Sequence, residues 1–575
     1  MVNLTINGKN ISVKEGTTLL DAALANGINI PTLCKWKGIN EIGACRMCIV
    51  EVKGMELLPA SCITLAEEGM EVYTESPRVY EARKTNLELI ISEHRYECIT
   101  CSRNGNCELQ TLAWQFGIYD VPFKRKITAL PWPSKFPLQK DNEKCIKCMR
   151  CVNVCDKIAD SHIWDVNFSG ERSTVWTRQG KNINDLDCTL CGQCIEHCPV
   201  ASLTSIDETE QFFGANGILN DKNKVKVVSI APAVRSSWTE ELGDNFKNAS
   251  LKKLVGLLKK IGFDYVFDVD FGADLTIMEE ASELLSHLND KDKHSWPLFT
   301  SCCPAWVYYL KAHYPELTDN LSSAKSPNQM QGAIIKTYFA NKIGVAPENI
   351  FNTAIMPCVA KKRECEISGI NSNSDAKDVD CVLTIRELAT LIKKANINIA
   401  DVEECEFDSP LGESTGAGVV FASTGGVMEA ALRSAYYFIT SEKPPLDAFK
   451  DVRNFKGRKE ATFVINGAEL RCVVVAGLKN ASILIDEIKT GKSHFDFVEV
   501  MACPSGCISG GGQPIHSEKD SRIKERQKDI YKRDANSELR NSYENPSIQK
   551  LYNDFLGSPN SEKAHHLLHI DHHSY

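Results

Sequence analysis

Cys145, Cys148, Cys151 and Cys155, followed by Cys188, Cys191, Cys194 and Cys198, repeat the spacing CxxCxxCxxxC. Sulfurs this close in the chain are badly placed for disulfides and well placed to hold clusters, so the two runs predict a pair of 4Fe-4S centres. In the bacterial two-cluster pattern the fourth cysteine of each run crosses to the other centre. One set is then Cys145, Cys148, Cys151 and Cys198, and the other is Cys188, Cys191, Cys194 and Cys155. Pro199 follows the second run as that pattern expects, whereas Asp156 follows the first.

Two more sets come earlier. Cys34, Cys45, Cys48 and Cys62 are spaced C-x10-C-x2-C-x13-C around the loop Gly43-Ala44-Cys45-Arg46-Met47-Cys48. Four thiolates on short loops, whose backbone N–H groups can bond sulfides, suit a 2Fe-2S cluster; a structural zinc ion is the alternative. His94, Cys98, Cys101 and Cys107 supply one imidazole and three thiolates, which either zinc or a 4Fe-4S cluster could use. Their place in a series of cluster motifs favours the cluster. A neutral imidazole in place of a thiolate removes negative charge and should raise its potential.

A fifth set is scattered: Cys303, Cys358, Cys503 and Cys507. The β-rich runs 297–300, 352–356 and 497–501 each lead into a cysteine loop, namely Cys302-Cys303-Pro304, Pro357-Cys358 and Ala502-Cys503, with Cys507 one turn later. Ligands gather at the carboxyl ends of strands in α/β sheets, so these sulfurs can converge. Lone cysteines are often only small buried hydrophobes, and it is the shared placement that argues for ligation.

These ligands need several folded units to position them. The 575 residues exceed what one core supports, and 43% apolar with 25% charged residues is the profile of a globular chain. Alternating residues on both sides of Asn7-Gly8 predict a hairpin, and Thr17 or Thr18 can cap a helix through Leu19, Leu20, Ala22 and Ala23. Cysteines thin out near residue 210, where strand, loop and helix begin to alternate. A net charge of −9 argues against nucleic acid as a partner. No apolar run is long enough to span a membrane and no leader pattern is visible, so a cytoplasmic location is expected.

The segments Phe299-Thr300-Ser301-Cys302-Cys303-Pro304-Ala305-Trp306, Met356-Pro357-Cys358-Val359-Ala360-Lys361-Lys362-Arg363-Glu364 and Glu499-Val500-Met501-Ala502-Cys503-Pro504-Ser505-Gly506-Cys507, with Gly510-Gly511-Gly512-Gln513, resemble the three signature segments of the iron-only (FeFe) hydrogenases. The first module resembles the N-terminal module of the large iron-sulfur subunit of respiratory complex I. The whole N-terminal arrangement is similar to that of the monomeric clostridial, ferredoxin-linked enzymes. The resemblance implies a multidomain α+β and α/β fold: a β-grasp (plant ferredoxin-like) 2Fe-2S module at 1–80, a small His/Cys-ligated 4Fe-4S module at 81–126, a two-cluster bacterial ferredoxin-like module at 127–209 and a large two-lobed α/β catalytic domain at 210–575. It also implies an H-cluster, a 4Fe-4S unit on Cys303, Cys358, Cys503 and Cys507 joined through Cys507 to a diiron unit bearing CO, cyanide and a dithiolate bridge.

By the same resemblance Lys361 donates to a cyanide, Met356 and Met501 pack on the diiron unit, and Pro232 and Ala233 line the cyanide pocket. Ala233 stands where some relatives have serine. Cys302, Glu280, Ser322 and Glu283 match the positions that pass protons, and an ordinary thiol, with a pKa of about 8.5, can give and take one near neutral pH. Glu280 and Glu283 sit at i and i+3 on the helical run 277–287, which read alone suggests a solvated face. The implied reaction is reversible reduction of protons to dihydrogen with electrons from ferredoxin, after assembly by maturation proteins. Two rivals are an iron-sulfur electron-transfer subunit of an NADH-linked complex, which has no use for the three cysteine loops, and the hydrogenase-like iron-sulfur assembly proteins, which lack the complete series of clusters. Cys365, Cys381, Cys405 and Cys472 match no motif and read as thiols. The glycines around 415–418 and 425–426 lack phosphate-binding patterns and read as packing. His565 and His569 fall in a predicted terminal helix.

Overall fold

Val2–Ile6 and Lys9–Val13 bury alternate side chains and reverse direction at Asn7 and Gly8, both with positive φ (49° and 76°), the geometry a tight hairpin turn requires. The sheet they begin runs in the order Lys9–Val13, Val2–Ile6, Glu71–Tyr73, Glu51–Val52. Glu71–Tyr73 is parallel to the first strand, and the other two pairings are antiparallel. Thr18 caps the helix Leu19–Ala25 by accepting from the Asp21 amide at 3.1 Å, and the helix lays Leu19, Leu20, Ala22 and Ala23 on the sheet. A sheet grasping one helix in this way is the β-grasp arrangement that the resemblance implied, and Cys48 and Cys62 share its core.

The computed structural model describes residues 1–123, 129–170, 173–290, 293–372, 376–453, 456–516 and 518–574. Its chain forms two compact units, one of Met1–Lys157, His162–Leu186 and Gln193–Thr204, the other of Ile158–Ser161, Asp187–Gly192 and Ser205–Tyr575. Cys188 and Cys191 therefore belong to the second unit, and Cys155 and Cys194 to the first.

The second unit is built on two four-stranded sheets. One runs Tyr265–Asp268, Val225–Ile230, Ile350–Met356, Cys381–Thr384, all parallel. The other runs Leu298–Phe299, Phe497–Met501, Ala468–Ala476, Arg458–Ile465, antiparallel only at the last pair. Strands buried on both faces read as near-continuous apolar runs with helices as cover, and Phe497–Met501, with every residue covered, is such a run broken only by Glu499. Two lobes follow from two sheets. Val269–Asn289, longer than the helical run read from the sequence, is buried along most of its length, Glu279 and Glu280 included.

The three cysteine loops leave two different sheets. Cys358 follows a strand of the first sheet, and Cys303 and Cys503 follow strands of the second. No described helix is long and apolar enough to cross a membrane. Cys365, Cys381 and Cys472 are buried and Cys405 is half-buried. Gly416 and Gly418 sit where a Cβ would strike Asp534 and Asp270, which accounts for them by packing.

Candidate active site

Cys303, Cys358, Cys503 and Cys507 line one cavity of about 80 Å³ together with Cys302, Lys361, Met356, Met501, Pro232 and Ala233. Its walls are otherwise mainly apolar, drawn from Ala231, Val269, Pro304, Pro327, Phe421, Ala422 and Ala502 among others, with Asn328 the polar exception. A larger cavity in the same unit, about 390 Å³ beside Lys311, Lys325 and Arg363, holds none of the cysteines, so lining chemistry rather than size picks out the site.

Glycines close the loops around this cavity. Gly506 has φ +77°, and a Cβ there would lie 2.7 Å from the Thr424 amide; a Cβ on Gly510 would lie 2.3 Å from the Pro357 carbonyl. Only hydrogen fits at either place, so the segment carrying Cys503 and Cys507 can close over the loop of Cys358.

The donor set suits an iron-sulfur group. The four thiols of the set, that of Cys302 and two thioethers face a space enclosed mainly by carbon, with one buried ammonium at its edge. Burial pushes all four thiols above their ordinary range, Cys358 to about 12, and neighbouring cysteines raise Cys358, Cys503 and Cys507 further. Thiols so placed lose their protons only to a strongly positive centre. Among the described residues no three His, Cys, Asp or Glu side chains gather as the ligands of a single ion.

Lys361 ends at Glu364, whose carboxylate oxygens accept at 2.9 and 3.0 Å, and it also donates to the Cys302 carbonyl at 3.3 Å. The ammonium is thus held charged at the cavity wall by a carboxylate outside it. Ala233 has no side-chain donor; Ser237, four residues on, turns its hydroxyl to Gln513 Oε1 at 2.7 Å instead.

Glu280 is fully buried, and neither carboxylate oxygen has a partner within hydrogen-bond geometry. Burial, with the charges of Glu283 and Glu499 adding, pushes it up to about 8, while the Ser301 amide and Ser322 hydroxyl act weakly the other way. The Ser322 hydroxyl donates to Glu283 Oε2. Cys302 is not the ordinary thiol its sequence context suggests: burial first, then Glu280, Cys303 and Glu499, push it well above the usual value. This corrects the expectation of a thiol poised near neutral pH. Near pH 7 both Cys302 and Glu280 hold their protons, and they add no buried charge.

Glu499 was not singled out from the sequence. It is fully buried, accepts from the Gly425 and Met428 amides at 2.7 Å each, and is pushed up to about 7 by burial. Its only sequence signal is a carboxylate inside an apolar strand.

In the first unit, sulfurs of two of the sets lie close together. Cys34 pairs with Cys45 and Cys48 with Cys62, and in each pair one thiol is driven up and the other down, Cys45 to about 6 and Cys48 to about 7, because the two compete for one proton. Two pairs are what a two-iron cluster asks for. Cys198 lines a cavity with Cys145, Cys148 and Cys151, and Cys155 does not. His94 is buried, with Nδ1 2.8 Å from the Lys144 carbonyl. That contact places the hydrogen on Nδ1, the tautomer that the expected ligation through Nε2 would require.

Known families match along the chain. The iron only hydrogenase large subunit, C-terminal domain, matches residues 224–511, and the iron hydrogenase small subunit matches 520–575. A 2Fe-2S iron-sulfur cluster binding domain matches 1–77, the NADH-ubiquinone oxidoreductase-G iron-sulfur binding region 83–122, and the ferredoxin-like domain of NADH-quinone oxidoreductase subunit 3 residues 137–204. The chain is 42% identical to the NADP-reducing hydrogenase subunit HndD of Solidesulfovibrio fructosivorans over 99% of this chain and 98% of that one. It is 38% identical to iron hydrogenase 1 of Clostridium pasteurianum over 99% of both. An apo variant of the FeFe-hydrogenase HydA1 from Chlamydomonas reinhardtii covers 63% of this chain and 96% of its own, with 39% identity and a TM-score of 0.55. With its cysteine loops closing on one cavity and hydrogenase relatives along nearly its whole length, the chain belongs to the iron-only hydrogenases, with accessory iron-sulfur domains ahead of the catalytic one.

Proposed function

We propose that the protein interconverts protons and dihydrogen at an H-cluster held by Cys303, Cys358, Cys503 and Cys507, fed by one 2Fe-2S and three 4Fe-4S centres on the sets read from spacing. The observation that carries this reading is the cavity that gathers those four cysteines with Cys302, Lys361 and two methionines. When bound, the diiron unit supplies the site where two electrons and protons are exchanged with dihydrogen. The chain does the rest. Lys361 keeps a positive charge beside the cavity for an anionic ligand, and Met356 and Met501 offer soft sulfur contact. Cys302 holds a proton at Sγ next to the site, and Glu280, Ser322 and Glu283 refill it from the far side. The modules at 1–80, 81–126 and 127–209 act as the electron path to the domain at 210–575.

Protein made without the maturation proteins is expected to carry the simpler clusters, to show no infrared bands of metal-bound CO or cyanide, and to evolve no dihydrogen. A CO- and cyanide-bearing group does not assemble from iron and sulfide alone, so full activity from such protein would overturn the H-cluster reading.

Electrons come from another protein. A ferredoxin, in the cytoplasm, is the first reading. The HndD relative is named an NADP-reducing hydrogenase subunit, which favours a second: a subunit that exchanges electrons with a nucleotide-binding partner. The sequence itself has neither GxGxxG nor a Walker motif to bind a nucleotide. Ile99, Trp114 and Tyr119, in and beside the His94 ligand run, are 93%, 74% and 89% exposed, which supports docking of a protein at that cluster under either reading. Purification with its natural partners, followed by assays with reduced ferredoxin and with NADPH, separates the two.

His94→Cys is expected to keep its cluster at a lower potential, because a thiolate adds negative charge. Activity with a small reductant that reaches the other clusters should fall less than activity with the protein donor. An unchanged redox titration would remove His94 from the ligands.

A further inference from the structure

Glu283 is tied to the C-terminal segment by hydrogen bonds that the relay itself does not use. Its Oε1 accepts from the amide and the hydroxyl of Ser323, at 2.9 and 2.8 Å. Ser323 Oγ lies 2.8 Å from His569 Nδ1, and His569 Nε2 lies 3.0 Å from Glu279 Oε2. Glu279 also accepts from the Tyr552 hydroxyl and, at 2.7 Å, from the Asn560 amide. The side chains of His569 and Glu279 are 1% and 0% exposed. The backbone around this contact is paired as well: Lys325 donates to the Leu568 carbonyl and Ile570 to the Ser323 carbonyl, each at 2.8 Å, so both sides of the link are fixed.

Counting hydrogens orients the link. The single hydroxyl hydrogen of Ser323 goes to Glu283, so its oxygen accepts, and the hydrogen between it and His569 sits on Nδ1. His569 Nε2 faces Glu279, so the ring bridges Glu279 to a hydroxyl that leads to Glu283.

We propose that His569 is a positioning residue for proton transfer: held by Glu279, it pins the Ser323 hydroxyl to Glu283 Oε1 and so leaves Glu283 Oε2 aimed at Ser322. The proposal rests on the reading of Glu283 as a relay group. Without the link Ser323 is free to rotate and Glu283 loses one of the donors that fix its second oxygen. Proton transfer depends steeply on such placement, and a shift of about 1 Å can cost about a hundredfold.

The test uses the fully matured enzyme in four variants: His569→Phe, which keeps a ring but no nitrogen, Ser323→Ala, the two together, and Glu283→Gln. Each single change at the link should lower dihydrogen turnover by about tenfold or more and enlarge the difference between rates in H2O and D2O, with the CO and cyanide bands unmoved. Because both act through one contact, the double variant should lose no more than the worse single one. Additive losses, unchanged turnover in Ser323→Ala, or loss of the bands in His569→Phe would each overturn the proposal. Should His569→Phe fail to fold, Ser323→Ala alone decides it. In protein lacking the diiron unit, the histidine ¹⁵N signals that vanish with His569→Phe should be those of a ring carrying hydrogen on Nδ1, and a ring with Nδ1 bare overturns the assignment. If Glu283→Gln is inactive while the link variants are not, the proposal alone falls; if Glu283→Gln keeps full turnover, the relay reading falls with it.

Discussion

Cys302→Ser is expected to lower turnover by at least about a hundredfold while the infrared bands of CO and cyanide stay in place. Serine keeps nearly the shape and puts an O–H where the S–H was, so the comparison isolates acidity. A thiol pushed up by burial still exchanges its proton far more readily than an alcohol does. Its neighbour Glu280, raised to about 8, is much closer to it in acidity than it would be to a serine hydroxyl. Cys303→Ser should do the reverse and disturb the bands, since that sulfur lines the cavity with the other three cysteines. If Cys302→Ser keeps its turnover, or loses bands and turnover together, the roles in this loop must be redrawn.

The candidate cluster ligands of the first unit could be picked out because the signal they carry is local. A CxxCxxCxxxC run states its own loop, and even the placing of Cys198 with Cys145, Cys148 and Cys151 is a regular property of two such runs. The catalytic cavity was legible only as three strand ends with cysteines, and its full set needed resemblance, because two sheets rather than one bring Cys303 and Cys358 together. Burial was the quantity hidden from the sequence. Glu280 and Glu283 sit on a helix that alone would be read as facing water, yet that helix is enclosed, and the enclosure moves both Glu280 and Cys302 away from their ordinary acidities. His569 was beyond reach for a different reason. Its partners Ser323 and Glu279 are 246 and 290 residues away, and neither belongs to a motif that would have paired them.

Glu280→Gln is expected to cost turnover on the order of a hundredfold to ten-thousandfold, the range a positioned acid or base contributes, and to make the protein more stable at alkaline pH. The two effects share one cause. The folded chain holds the Glu280 proton up to about 8, whereas a free glutamate gives it up near 4.5. Between those values the unfolded state has released the proton and the folded state has not. Folding therefore takes up a proton, and stability falls as pH rises through that window. Above it the full penalty applies, at about 1.4 kcal/mol for each pH unit separating the two values. Glutamine has no proton to lose, and both Glu280 oxygens lack hydrogen-bond partners that an amide would break. The difference in denaturation midpoint between variant and parent should thus grow from pH 5 to pH 8 and then level off, while the CO and cyanide bands stay where they are. A midpoint difference that does not change with pH would mean that Glu280 is not buried as the structure places it, and a variant with full turnover would take it off the proton path.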